Sequence, residues 1–140
     1  MMNGERFMNS DRKQNGYTLI ELLIVLTIIG LLVSIALPRM KDAQQKAREA
    51  VLMENLWQMR ETIDQYHHDK GKYPATLETL VDEHYLREMP LDPITKSSDT
   101  WIEVPEDMAD NPDPTAQAGV WDVKSGAAGT TMDGKPYSEL

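Results

Sequence analysis

Glu21 is the single charged residue among the 21 positions from Tyr17 to Leu37, a run that reads YTLIELLIVLTIIGLLVSIAL. A carboxylate in hydrocarbon costs about 2.5–3.5 kcal/mol even on lenient insertion scales, so it persists only with a partner or within reach of water. Two kinds of chemistry fit. The start of a helix presents positive dipole and unsatisfied N–H groups, to which an anion is drawn. Alternatively the carboxylate lies near one end of the run and reaches back toward the headgroups.

The C-terminal stretch DVKSGAAGTTMDGKPYSEL offers another candidate. Its glycines at 126, 129 and 134 permit tight loops that expose carbonyl oxygens, and calcium takes six to eight oxygen ligands. Asp122, Ser125 and Asp133 are the side chains that would contribute. A glycine-rich surface turn without metal fits the same residues. His67 and His68 are adjacent, so on a helix they point about 100° apart and do not chelate as an i, i+4 pair would. They read as solvated, with Asp64 one turn from His68 as a surface pair. The carboxylates at 106–113 read as a solvated loop. No Ser-His-Asp set, phosphate-binding loop or dinucleotide fingerprint is present, so catalysis is not expected.

The elements that must position these groups follow from periodicity. Residues 17–37 are apolar on every face and span roughly 30 Å at ~1.5 Å per residue, the thickness of a bilayer core. Arg12 and Lys13 precede the run and Arg39 and Lys41 follow it, so flanking charge alone does not orient it. Pro38 lacks the N–H that would bond the Ser34 carbonyl, and a kink or local unwinding is expected between Gly30 and Pro38. From Arg39 to Lys70 the pattern turns amphipathic. Met40, Ala43, Ala47 and Ala50 begin an apolar stripe that Leu52, Leu56, Met59, Ile63 and Tyr66 continue. Gly71 and Pro74 end it, giving one helix over 17–70 of about 80 Å. A short helix capped by Thr76 follows, with Leu77, Leu80 and Val81 inward. Thr100–Val104 and Gly119–Val123 read as strands, each carrying a tryptophan, with a Pro- and Asp-rich loop between them.

Composition narrows the function classes. The chain has 140 residues, a net charge of −9 and no cysteine. Beyond residue 16 it carries 11 basic against 21 acidic groups, a balance that disfavours nucleic acid. Without disulfides, an exported domain is held by packing, a bound ion or neighbouring subunits. A cleaved secretory signal is one reading of the apolar run, with Ser34-Ile35-Ala36 as the small-x-small site and a soluble chain starting near Leu37. Glu21 within the run, and the helical pattern that continues past Pro38, argue against it.

Gly16-Tyr17-Thr18-Leu19-Ile20-Glu21 resembles the processing site of the type IV pilin and type II secretion pseudopilin superfamily. Glu21 and Pro38 fall where that superfamily has a glutamate and a proline, and Tyr17 replaces its usual phenylalanine or methionine with another aromatic ring. Gly-x-Tyr-Pro at 71–74 and the Pro-x-Asp-Pro at 90–93 are similar to segments of the major pseudopilin subgroup. The resemblance implies an α+β pilin-like fold, a long N-terminal helix packed on a small antiparallel sheet. It divides the chain into a leader (1–16), a membrane-spanning assembly half-helix (17–38) and a periplasmic domain (39–140). It implies cleavage by a prepilin peptidase after Gly16, methylation of the new amino terminus at Tyr17, and pairing of Glu21 with a neighbour's terminus during assembly. Pro38 would let the helix extend as subunits leave the bilayer.

The partners so implied are copies of the chain itself, minor pseudopilins, an inner-membrane secretion platform and the lipid bilayer. The implied location is the bacterial inner membrane, single-pass, with a periplasmic C-terminal domain. The subgroup also holds calcium near this end of the chain. Here Ala127 and Ala128 stand where a Ser-Gly-x-Asp-Gly pattern would place a carboxylate. A type IV pilin for adhesion, motility or DNA uptake is the alternative within the superfamily. The lack of cysteine and the short globular part favour the pseudopilin.

Overall fold

The computed structural model describes residues 18–109, 113 and 115–140. Gly16 and Tyr17 lie outside the described residues. The chain divides into two compact units between Arg39 and Met40.

Helix α1 (Leu19–Lys70) begins behind Thr18, whose hydroxyl accepts the Glu21 N–H at 3.3 Å and whose carbonyl accepts the Leu22 N–H at 3.2 Å. This is N-capping by a threonine, as helix starts prefer. The helix ends at Gly71, where a φ of 72° takes the chain out of the helix while its N–H still bonds the His67 carbonyl at 2.8 Å. A glycine meets that left-handed geometry at no steric cost. Helical assignment is continuous through Pro38, so the local unwinding expected there is absent. One proline removes one rung of the ladder, and the rungs on either side suffice to hold the turn.

In the second unit α1 supplies the wall on which everything else packs. Leu52, Leu56, Met59, Ile63 and Tyr66 are buried, at the i, i+3, i+4 spacing of one helix face. The earlier part of the expected stripe is not covered: Met40, Ala43, Ala47 and Ala50 are all exposed. The covering elements leave every described residue before Glu49 exposed, so the buried face starts at Leu52.

Helix α2 (Leu77–Asp82) is capped by Thr76, whose N–H and hydroxyl both meet Thr79 Oγ1. The Glu103 carboxylate accepts the Leu77 N–H at 2.7 Å, placing an anion at the helix start. Strand β1 (Trp101–Pro105) pairs antiparallel with β2 (Val120–Ser125), with Trp101 opposite Ser125 and Val104 opposite Asp122. The register shifts between Val104 and Pro105, which leaves Trp121 in an irregular stretch with its ring exposed. Both strands begin one residue later than the periodicity suggests and run one or two residues further. Gly119 is constrained by a close approach, since a Cβ there would lie 2.5 Å from the Tyr73 Cβ. The core joins the α1 face to Leu77, Leu80, Leu86, Trp101, Val120, Val123, Ala127 and Tyr137.

Candidate functional site

Residues 18–48 of the chain are exposed throughout. Leu19 is 80 % exposed, and the apolar side chains from Ile20 to Leu37 are each about half exposed or more. The polar groups within this run look after themselves. Thr27 Oγ1 donates to the Leu23 carbonyl and Ser34 Oγ to the Leu31 carbonyl, both at 2.7 Å. Each hydroxyl is thereby paired inside its own helix, as a non-aqueous surrounding requires. Glu21 differs. Its backbone N–H is capped by Thr18, but among the described residues no donor reaches its carboxylate. The segment is long and apolar enough to cross a membrane by length and composition. It carries one anion, in its first turn.

The three residues considered for calcium are not brought together as a ligand set. The Asp122 carboxylate takes the Arg60 Nε–H at 2.6 Å. Ser125 is fully buried, its hydroxyl donating to Asp92 Oδ2 at 2.6 Å while accepting the Ala127 N–H at 3.1 Å. Asp133 stands alone in an exposed turn. Among the described residues no group of three His, Cys, Asp or Glu side chains is arranged to hold a metal ion. Asp122, Ser125 and Asp133 therefore do not form a shared set of side-chain ligands for the ion that the resemblance implied. The histidines also part company. His67 stacks on Tyr73 with ring centroids 4.1 Å apart, and His68 faces Asp69 at 3.6 Å rather than Asp64.

Residues 11–37 match the prokaryotic N-terminal methylation motif. The chain is 30 % identical over 102 residues to the type II secretion system core protein G of Escherichia coli (strain K12), covering 61 % of this chain and 70 % of that protein. It belongs to the type II secretion system core protein G family. The family protein of Dickeya chrysanthemi is 27 % identical over 144 residues, spanning 84 % of this chain and 92 % of the relative. That of Pseudomonas aeruginosa is 30 % identical over 98 residues, spanning 59 % and 69 %. No solved structure matches the chain. Membership makes the chain a major pseudopilin, a pilin-like filament subunit, and accords with the long helix and small sheet described above.

Within this core protein G chain, three polar residues hold the domain together, Arg60 and Glu49 from α1 and Asp92 from the loop before β1. Asp92 is fully buried, and Oδ1 accepts the N–H groups of Ile94 and Thr95 at 2.8 and 3.2 Å while Oδ2 takes Ser125. It thereby shapes the 92–97 loop and ties it to the end of β2. The signal was visible: an Asp beside Pro93 is a turn-former whose carboxylate bonds the backbone two residues on. Arg60 bonds Asp122, and its Nη2 donates to the Val123 and Leu140 main-chain oxygens at 2.9 and 2.8 Å. Glu49 is half-buried, with Oε1 accepting the Met132 N–H and the Tyr137 hydroxyl, each at 3.0 Å. Nothing in the helical pattern separates Arg60 and Glu49 from the solvated charges beside them.

Proposed function

We propose that this chain works mechanically rather than catalytically, as the repeating subunit of a periplasmic pseudopilus that drives folded proteins toward an outer-membrane channel. Before assembly the subunit is held in the inner membrane by residues 17–38, with the domain from residue 39 in the periplasm. A prepilin peptidase cuts after Gly16, and the amino group of Tyr17 becomes the methylated terminus. That group carries a positive charge one turn from Glu21.

The observation that most supports this reading is the contrast between an apolar surface exposed on every face and a first-turn carboxylate that no donor among the described residues reaches. Lipid satisfies the apolar surface but not the anion. A neighbouring subunit satisfies both, because its helix covers apolar area and its amino terminus pairs the charge. The unpaired carboxylate thus favours docking of one copy on the next and sets their axial register. Minor pseudopilins and the membrane platform are the further partners this role requires. Pro38 removes a rung near the membrane exit, where the helix can lengthen during transfer.

Mass spectrometry of the mature amino terminus tests the processing step. The expected result is N-methyltyrosine at position 17. A terminus near Leu37 would mean an ordinary secretory signal and end the filament reading. Loss of enzyme secretion on deletion supports the pseudopilus, whereas loss of surface pili with secretion intact would assign the chain to a type IV pilus.

A further inference from the structure

The loop after β2 is closed by the protein itself. Thr131 and Lys135 are joined by an N–H to carbonyl bond of 2.8 Å, Gly134 N–H bonds the Thr131 carbonyl at 2.9 Å, and Tyr137 N–H bonds the Gly129 carbonyl at 3.2 Å. An isolated bridge pairs Thr130 with Pro136. These bonds close the loop on its own main chain, with the Gly129, Thr131 and Lys135 carbonyls as acceptors. Two of the three candidate side chains are engaged as well, and Asp133 lies apart from them. Asp122 is held by Arg60, and Ser125 by Asp92.

The remaining requirement is an anion that fastens the closed loop to the helix beneath it. Glu49 meets it. One oxygen, Oε1, accepts the Met132 N–H from the loop tip and the Tyr137 hydroxyl from its far end, each at 3.0 Å. Gln45 Nε2 donates to the same oxygen at 3.0 Å and fixes its position. The Tyr137 ring is buried between them, packed into the core. The carboxylate therefore bridges two points of the loop that lie five residues apart.

We infer that in this chain Glu49 of α1 is the latch of the C-terminal loop, and that the domain closes without calcium. Ala128 offers this loop no carboxylate, and the one that fastens it comes from the helix. The inference concerns one subunit and is independent of whether copies polymerise.

The test uses the full chain in detergent micelles, with calcium chloride alone as the probe. Thermal unfolding, followed by tryptophan fluorescence, is expected to show the same midpoint in millimolar calcium as in excess chelator. A midpoint raised by calcium overturns the inference. Glu49→Ala is expected to lower the midpoint by roughly 4–8 °C, the shift that loss of one or so net hydrogen bonds brings in a domain of this size. It should also speed hydrogen exchange at the Met132 amide while the Leu56 amide keeps its protection. Unchanged exchange at Met132 overturns the latch. Tyr137→Phe keeps the ring and removes one of the two loop contacts, so it serves if the alanine variant fails to fold. It is expected to lower the midpoint by less, and a midpoint equal to the parent's overturns the latch.

Discussion

Two glutamates on one helix, Glu21 and Glu49, divide the molecule by what satisfies them. Around Glu21 every residue of α1 is exposed, and no donor among the described residues reaches the carboxylate. Around Glu49 the helix starts to be covered, and the carboxylate collects a backbone amide, a phenol and a glutamine. Both stretches are helical for the same local reasons. They differ in where their partners come from. Among the described residues the first unit does not satisfy its own anion, while the second satisfies its own.

That comparison is broken most severely at Glu21. Glu21→Ala is expected to abolish filament growth and export, read by cargo in the medium, while leaving the domain's unfolding midpoint where it was. An alanine variant that exports like the parent would show that the carboxylate is not an assembly contact. The next largest effect belongs to the covered face. Leu56→Ala opens a cavity under the sheet and is expected to cost about 2–5 kcal/mol in denaturant unfolding. Leu23→Ala, on the exposed stretch, should leave that measurement unchanged.

Alkaline pH sharpens the comparison next, because the perturbed tyrosines all belong to the second unit. Tyr66, Tyr85 and Tyr137 are each raised above the ordinary phenol value, first by burial and then by hydrogen bonds to Glu83, Asp69 and Glu49. A neutral phenol donates to a carboxylate, whereas a phenolate repels it. The folded values lie above the unfolded value of about 10. Their contribution to stability is therefore fully present below that pH and is lost as pH rises through the folded values. A pH series of unfolding midpoints should fall above about pH 10, and a flat profile there would remove these contacts from the account. The smallest effect is at His84, whose φ of 64° follows the end of α2. His84→Gly relieves that left-handed geometry and is expected to stabilise the domain by about 0.5–1 kcal/mol in the same unfolding assay.

Much of the local structure was legible in the residues. The apolar run, the stop at Gly71, the Thr76 cap and the two tryptophan-bearing strands follow from periodicity and turn chemistry, which act between near neighbours. The register of glycine, aromatic residue, glutamate and proline at 16, 17, 21 and 38 was specific enough to indicate the family that the comparisons establish. The extent of the buried stripe was not legible, because Ala43, Ala47 and Ala50 have the same spacing as Leu52 and Leu56. Only the reach of the covering loops distinguishes them.

The polar residues of the C-terminal region mark the same boundary. Composition put Asp122, Ser125 and Asp133 in one short segment, and a segment is all that sequence can supply. Their partners, Arg60, Asp92 and, for the neighbouring loop, Glu49, lie 33 to 88 residues away. Sequence by itself determined where helix and strand form and where a charge sits in an apolar run, since those depend on contacts within a few residues. Tertiary structure decided which oxygens were left to bind anything, because a hydrogen-bond acceptor is committed by whatever donor the fold brings to it.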